Sequence, residues 1–367
     1  MKILNTGIKN AKNVQRYIFG GGTLSMLPEL LRARREGSSG SGVFFIDQYY
    51  ENRPDFTDRL AISPGDFVLY VDTGHEPTTE YIDRLAGRLI NSQKHLPCAI
   101  VGIGGGITMD VAKAVANLMT NGGRAEDYQG WDLVKVPGIY KVAVPTLSGT
   151  GAEATRTCVM TNKRTGLKLG MNSDHTVYDQ IIMDPELTRT VPRNQYFWTG
   201  MDAYIHCIES LNGHYRNAIG DAYSAQTISL CRDVFLGEDM MADDMREKLM
   251  VASYLGGCAI ATSYVGVVHP FSAGLSVVLG LHHCVANCIV MRAMKEFYPL
   301  AYDEFWSMVE RQQVDIPSGA CRNLSDEQYE QLYRSTIVHE KPLTNALGER
   351  FRETLTREKV IDVFKGM

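Results

Sequence analysis

The sequence predicts an α/β dinucleotide-binding domain with a mostly parallel sheet over residues 1–184, and an all-helical domain over residues 185–367. Three observations indicate this. In the first part, short apolar runs alternate with helical patterns, which is typical of βαβ units. Two of these runs end in glycine-rich turns. Beyond residue 184, nearly every segment has the apolar spacing of a helix.

Four apolar runs are predicted to form buried strands of the sheet. They are Gly42–Ile46, Asp66–Asp72, Cys98–Ile103 and Tyr140–Val144. An earlier strand, glycine turn and helix are predicted within residues 13–35. Ligands of such sheets bind at the carboxyl ends of the strands. Asp47 follows the first run directly, where an acidic residue often binds the ribose of a dinucleotide, although a simple turn aspartate is an equal alternative.

Gly104, Gly105 and Gly106 follow the third run and precede a helical pattern. A helix that starts on such a turn offers free N–H groups and a positive dipole end, which suit a pyrophosphate. Asp110 lies in the first turns of that helix, where it contributes to the cofactor site or complements the dipole.

The fourth run leads into a loop in which hydroxyls and glycines alternate, PTLSGTGAE. Thr146, Ser148 and Thr150 supply hydrogen-bond donors with little steric bulk there. We therefore predict a second phosphate or ribose contact at these residues.

The second part is predicted to be helical throughout. Its predicted helices are Gln195–Leu211, Ala218–Phe235, Asp243–Tyr264, Asn287–Phe297, Asp326–Tyr333 and Leu343–Thr354.

Candidate metal ligands lie within this helical part. Asp202 and His206 are four residues apart, so a helix places them one turn apart on the same face. This is half of a divalent-metal site, although a surface hydrogen bond is a common alternative for such a pair. His269 and His283 lie in an apolar run, where a histidine without a partner is costly to bury.

Composition narrows the function classes. Hydrophobic residues make up 44% of the chain and charged residues 22%, as in ordinary soluble globular proteins. The net charge of −5 and the lack of a basic block argue against nucleic acid as a partner. Signal-peptide and membrane-spanning patterns are missing, so we expect a cytoplasmic protein without a membrane partner. The eight cysteines form no CxxC pair and are predicted to be reduced core thiols, with Cys284 and Cys288 a less favoured soft-metal pair.

Taken together, the motifs resemble those of the iron-containing (group III) alcohol dehydrogenases, over about Tyr17 to Met291. GGGITMDVAK at Gly104–Lys113 resembles the family's GGGSxxDxAK, and PTLSGTGAE resembles its PTTAGTGSE. IMDPELTRTVP contains the family's DPxLxxxxP, and DAYIHCIE at Asp202–Glu209 resembles its DAxxHAxE. The spacing along the sequence from His206 to His269, and from His269 to His283, also suits this family.

The resemblance implies a fold shared with dehydroquinate synthase and a single divalent ion, Fe²⁺ or Zn²⁺. It implies that the ion is bound by four residues: Asp202, His206, His269 and His283. It also implies NAD(P) across Asp47, Gly104–Gly106 and Pro145–Thr150. NAD is favoured because the Asp47 carboxylate would repel a 2′-phosphate. We expect a homo-oligomer, a dimer.

Two positions depart from the family pattern. Many members carry a further histidine where this chain has Ala273, and many have proline where it has His282. The region around these positions most resembles enzymes that oxidise the 8-hydroxyl of 3-deoxy-D-manno-octulosonate during lipopolysaccharide sugar biosynthesis. Such an acidic sugar requires a cationic anchor, for which Arg156 and Lys168 are the candidates.

The predicted reaction is metal-assisted oxidation of a primary alcohol to an aldehyde, with a small alcohol or sugar acid as substrate. Another small alcohol or polyol is the first alternative. A dehydroquinate-synthase-like lyase is the second, and it would need a basic phosphate pocket that Arg156, Arg164 and Lys168 supply in part. Oxygen as the electron acceptor and a non-enzymatic binding protein remain further alternatives.

Overall fold

The computed structural model describes the chain except for residues 1, 2, 5–7, 9, 39, 61 and 93. The strands are β1 (Arg16–Phe19), β2 (Gly42–Asp47), β3 (Phe67–Val71), β4 (Ala99–Gly104), β5 (Gly130–Trp131), β6 (Lys141–Pro145), β7 (Thr157–Asn162), β8 (Leu167–Asn172) and β9 (Gln180–Met183). The helices of the first part are α1 (Leu27–Glu36), α2 (Pro54–Thr57), α3 (Thr79–Ser92) and α4 (Gly106–Asn121). Those of the second part are α5 (Arg193–Asn212), α6 (Ala218–Phe235), α7 (Asp243–Ser263), α8 (Val268–Leu279), α9 (His283–Val290), α10 (Pro299–Gln312), α11 (Asp326–Ile337), α12 (Glu340–Leu347), α13 (Phe351–Thr354) and α14 (Arg357–Lys365).

The main sheet has the strand order β1-β9-β6-β4-β2-β3, and all of its pairings are parallel. Gly104 pairs with Pro145, and Ile46 pairs with Ile103. The carboxyl ends of β2, β4 and β6 therefore lie side by side at one edge. This confirms the predicted parallel α/β fold and brings the turns after those strands together.

A second, three-stranded sheet contains β5, β8 and β7, with β7 and β8 antiparallel. Our prediction included neither this sheet nor β9. The side chains of β7 alternate between half-buried and buried, so the run carries the period of a half-exposed strand rather than a continuous apolar run.

The helical part follows the prediction closely up to α7 and less closely beyond it. The predicted helix Asn287–Phe297 is wrong: α9 ends at Val290, a 3₁₀ turn covers Met291–Ala293, and α10 starts at Pro299. Pro299 is the first residue of α10, a position that proline favours, whereas α9 ends well before this proline at the 3₁₀ turn. The predicted helix over residues 343–354 is also wrong, because Gly348, at a φ of 83°, ends α12 before α13 begins.

Two glycines bring the loop after β6 against the helical part. Gly149 has a φ of 143°, and a Cβ there would lie 1.6 Å from the carbonyl oxygen of Thr199 in α5. Gly151 has a φ of 61°, and its Cβ would lie 2.6 Å from the Cα of Gly257 in α7. Only glycine permits so close an approach, which places the loop beside the helix that carries Asp202.

All eight cysteines are buried, as predicted. Within the described residues, no single helix is long and apolar enough to cross a membrane, although α7 and α8 pass that test as a pair bent by 105°. The last strand of the main sheet ends at Met183, and α5 begins at Arg193. The domain boundary at residue 184 falls between them and stays a prediction.

Candidate metal and cofactor site

A cavity of about 790 Å³ lies between the carboxyl edge of the main sheet and the helical part. Gly105 and Gly106 line it from the sheet, and the four candidate metal ligands line it from α5, α8 and α9. The predicted cofactor turns and the predicted metal ligands, which are far apart in sequence, thus share one cavity.

The three candidate histidines converge on the Asp202 carboxylate. Their Nε2 atoms lie 3.2 Å (His269), 3.5 Å (His206) and 3.6 Å (His283) from its oxygens. Ligands about 2.1 Å from a tetrahedral ion lie roughly 3.4 Å apart, so these separations suit donors that share one metal. The tightest group consists of Asp202, His269 and His283, whose ligand atoms all lie within 4.8 Å of one another. His206 lies outside that group, with its ring stacked on His269 at 4.7 Å.

Glu209 fixes the orientation of one of these imidazoles. Its carboxylate accepts hydrogen bonds from Nδ1 of His269 and from the backbone N–H of Val268, the latter at 2.5 Å. A carboxylate can only accept, so Nδ1 carries the proton and Nε2 faces Asp202. This carboxylate–histidine arrangement is the usual support of a metal ligand.

The electrostatics of the cluster also favour a cation. Burial lowers the pKa of His206 to about 4 and that of His283 to about 3, so both imidazoles are neutral at neutral pH. The Asp202 pKa lies well below its usual range despite burial, because histidines surround it. Burial lowers the pKa of His269, but Glu209 and Asp202 outweigh it and raise that pKa to about 10. Without an ion, the two buried carboxylates therefore hold a proton on His269 while His206 and His283 stay neutral, which leaves net negative charge. A divalent ion would neutralise that charge and displace the proton from Nε2 of His269.

Two further residues contact the cluster and were missed by the sequence analysis. Glu76, in the loop after β3, accepts a hydrogen bond from the backbone N–H of His283 at 2.9 Å and pairs with Lys168 at 3.1 Å. Asn287 donates to Asp202 at 2.7 Å. Asn287 lies one turn after His283 on α9, so its spacing could have indicated it. Nothing in the sequence around Glu76 did so.

The predicted cofactor residues occupy the sheet side of the cavity. Gly105 is the N-cap of α4 and Gly106 its first residue, and both line the cavity. Asp47 also lines it, while its Oδ1 accepts hydrogen bonds from the backbone N–H of Tyr49 and from Thr73 Oγ1, at 3.0 and 3.1 Å. Burial raises the pKa of Asp47 above its usual value. The free N–H groups at the start of α4 therefore face the space in which a pyrophosphate would bind.

The remaining predicted cofactor residues divide into two groups. Thr146 and Thr150 line the cavity, as does Asp110, whose carboxylate accepts from the N–H of Val159 at 2.8 Å and whose pKa burial raises to about 6. Gly104 and Ser148 are not among the lining residues. Ser148 is buried, and its hydroxyl has no hydrogen-bond partner among the described residues.

The two predicted anchors both line the cavity but are neutralised by acidic side chains. Arg156 pairs with Asp132 at 2.7 Å and with Asp174 at 2.9 Å, and Lys168 pairs with Glu76. The third basic residue of the proposed phosphate pocket, Arg164, is exposed and pairs with Glu126.

Two family profiles match the chain. One is described as "Iron-containing alcohol dehydrogenase" and covers residues 14–185. The other is described as "Fe-containing alcohol dehydrogenase family, C-terminal" and covers residues 197–328. The matched regions contain the glycine turn and all four candidate metal ligands.

Similar curated proteins include the NAD-dependent methanol dehydrogenase of Bacillus methanolicus, 34% identical over 56% of this chain and 55% of that protein. The sulfoacetaldehyde reductase of Bilophila wadsworthia is 30% identical over 72% of this chain and 67% of that protein. The chain thus spans about half the length of the first relative and two thirds of the second.

Among solved structures, the sulfoacetaldehyde reductase from Bifidobacterium kashiwanohense, crystallised with NAD⁺, has a TM-score of 0.77 at 23% identity. The match covers 97% of this chain and 98% of that chain, and it confirms the fold. The predicted cofactor classes, a divalent metal and NAD, agree with the names of these relatives and with the metal-competent cluster. On the two profile matches and the Bilophila relative, the chain belongs to the iron-containing alcohol dehydrogenase family.

Proposed function

We propose that this chain is a metal- and NAD-dependent alcohol dehydrogenase that oxidises a primary alcohol to an aldehyde. The observation that carries the proposal is the convergence of three imidazole Nε2 atoms on Asp202 in the cavity that the glycine turn also lines. A divalent ion held there would lower the pKa of a bound hydroxyl, so that the alkoxide is accessible near neutral pH.

In this proposal the protein binds and orients the reactants. Asp202, His206, His269 and His283 hold the ion, and Glu209 keeps one imidazole in the tautomer that ligates. On the opposite wall, the N-terminus of α4 binds the pyrophosphate and Asp47 the ribose. The other cofactor contacts proposed are Gly105, Gly106, Asp110, Thr146 and Thr150. Gly104 and Ser148, which do not line the cavity, would support the two turns from behind. Hydride transfer is the chemistry of the nicotinamide, so the chain's contribution is to position the alcohol carbon against it.

The test combines metal analysis of the purified protein with a screen for NAD⁺ reduction on uncharged alcohols, polyols and acidic sugars. We expect one divalent ion per chain and metal-dependent NADH formation. Oxygen consumption measured in parallel decides between NAD⁺ and oxygen as acceptor. A protein without metal that reduces NAD⁺ on none of these substrates would refute the proposal.

A lyase of the dehydroquinate-synthase type is less well supported. Its basic phosphate pocket would need free cations near the metal, whereas Arg156 and Lys168 are ion-paired and Arg164 is on the surface.

A narrower proposal concerns an acidic substrate, and one cation in the cavity favours it. Lys341 lines the cavity with its ammonium 3.7 Å from the centre of the Trp131 ring. Unlike Arg156 and Lys168, it forms no ion pair with any described acidic residue. A substrate carboxylate that binds there loses its hydration, and the Lys341 ammonium would compensate by pairing with its charge. We therefore propose a sugar acid, with the 8-hydroxyl of 3-deoxy-D-manno-octulosonate as the specific candidate.

This narrower proposal is tested with Lys341→Ala, Arg156→Ala and Lys168→Ala on an acidic sugar and on an uncharged primary alcohol. Lys341→Ala should lower kcat/KM for the acidic sugar about 10- to 100-fold, since one charge-assisted hydrogen bond contributes about 1.5–3 kcal/mol. The uncharged alcohol serves as the control substrate and should be little affected. If all three variants lose kcat/KM equally on both substrates, these cations do not hold an anionic substrate.

A further inference from the structure

His339 is a half-buried imidazole in the same cavity, outside the proposed metal and cofactor contacts. It immediately precedes α12 and lines the cavity together with His269 and Ala273 of α8. Its Nε2 is buried and has no hydrogen-bond partner among the described residues. A buried nitrogen without a partner costs free energy unless a ligand or water satisfies it, so its place on a cavity wall points to a ligand.

Alcohol oxidation needs a group that accepts the hydroxyl proton, and the carboxylates of the cavity are already engaged. Asp47 accepts two hydrogen bonds at the cofactor end, and Asp110 accepts one from Val159. Glu76 is held by Lys168 and by the backbone of His283, and Glu340 pairs with Arg352 at 2.8 Å.

Among the cavity-lining histidines outside the proposed metal cluster, His282 and His339 are left. His282 is exposed, whereas His339 is half-buried with its Nε2 out of contact with solvent. The helices α11 and α12 that flank His339 both pack on α8, the helix that carries His269. His339 is therefore the better-placed acceptor of the two.

We propose that His339 accepts the proton of the substrate hydroxyl, which rests on the proposed alcohol dehydrogenase function. The O–H bond breaks with its proton moving to Nε2 of His339, and the C–H bond breaks with its hydride moving to NAD⁺. The products are an aldehyde, NADH and an imidazolium, which gives its proton to water that enters the cavity once the products leave. His339 thus adds an imidazole to the cavity that Ala273 also lines, and many family members carry a histidine in place of Ala273.

The protonation state of His339 suits an acceptor. Burial, followed by the charges of Lys168 on β8 and His269 on α8, lowers its pKa to about 4. Glu340 and Lys341 are the charged neighbours on its own helix, and Glu76 compensates part of the Lys168 charge. The imidazole is therefore neutral above a pH of about 4, which leaves one ring nitrogen able to accept a proton. Its low pKa makes it a weak base, so the imidazolium is short-lived and gives up its proton readily.

The test uses the full chain loaded with metal and NAD⁺, with 1-propanol, 1,3-propanediol and glycerol as probes. His339→Gln keeps the size and polarity of the side chain but removes the proton acceptor. We expect kcat/KM at neutral pH to fall about 100-fold. The kcat/KM of the variant should then rise with pH, because hydroxide replaces the missing proton acceptor. In the wild type, His339 accepts the proton, so kcat/KM should not show this rise.

Metal content and NAD⁺ affinity of His339→Gln should match wild type, which separates proton transfer from a structural or ligand role. His95→Gln, an exposed histidine outside the cavity, is the matched control. An active wild type with an unaltered His339→Gln profile would overturn this inference alone, as would the pH-dependent loss appearing in His282→Gln instead. A wild type that oxidises neither these probes nor an acidic sugar would overturn the proposed function, and this inference with it.

Discussion

The hydrogen bond between Glu209 and His269 offers the sharpest test of the metal cluster, through Glu209→Gln. The glutamine can still accept from the N–H of Val268 with its amide oxygen. Its NH₂ group then faces Nδ1 of His269, where the carboxylate accepted a hydrogen bond. Two donors cannot pair, so the imidazole is driven to the tautomer that carries its proton on Nε2, the nitrogen that faces Asp202.

The expected cost follows from what this change removes. A hydrogen bond to a charged group contributes about 1.5–3 kcal/mol, and one negative charge that favours a cation is lost as well. Reorientation of the buried glutamine side chain recovers part of this loss in metal-binding free energy. We therefore expect metal affinity to fall about 10- to 100-fold, which is the range for residues that orient metal ligands and corresponds to about 1.4–2.7 kcal/mol.

Metal affinity is measured by competition with a chelator of known strength, for Fe²⁺ and for Zn²⁺. Glu153→Gln is the matched control, because Glu153 is equally buried but accepts its hydrogen bond from Ser253, outside the cluster. Glu153→Gln should retain wild-type affinity. If Glu209→Gln binds both metals as tightly as wild type, then His269 does not ligate through Nε2 and the proposed site is wrong.

Three further predictions concern the metal, the cofactor and the fold. His269→Ala should leave three ligands, so bound metal per chain and turnover should both be lost; full occupancy would refute the assignment. Asp47→Ser should relax the preference against NADP by removing carboxylate repulsion, as titration of both cofactors shows; equal wild-type affinities would mean that Asp47 does not face the ribose. Gly149→Ala should lower the free energy of unfolding by about 3 kcal/mol or more, because its Cβ would lie 1.6 Å from a carbonyl oxygen. Gly87→Ala, with open space around its Cβ in α3, should raise that free energy by up to about 1 kcal/mol in the same denaturation assay.

Much of the main sheet could be predicted because a buried parallel strand appears in sequence as a continuous apolar run. Gly42–Ile46 and Cys98–Ile103 are such runs, and each lies within one residue of the observed strand. The hairpin of β7 and β8 has one face half-exposed, so its weaker alternation was missed. The end of α12 was missed because Gly348 outweighs the helical periodicity around it. The end of α9 at Val290 was missed because neither proline nor glycine marks it in the sequence.

Asp202 and His206 could be named as a ligand pair from local spacing, because helical periodicity places them on one face whatever the rest of the fold does. The glycine turn at the start of α4 could be recognised in the same local way. Which distant side chains complete the site depends on tertiary packing. Glu76 reaches His283 from a loop more than 200 residues earlier, and His339 reaches the same cavity from the C-terminal helices. Such contacts depend on the packing of non-local elements, and no local pattern encodes them. The same holds for the cations: the sequence analysis named Arg156 and Lys168 as anchors and missed Lys341, and only their acidic neighbours in space distinguish the three.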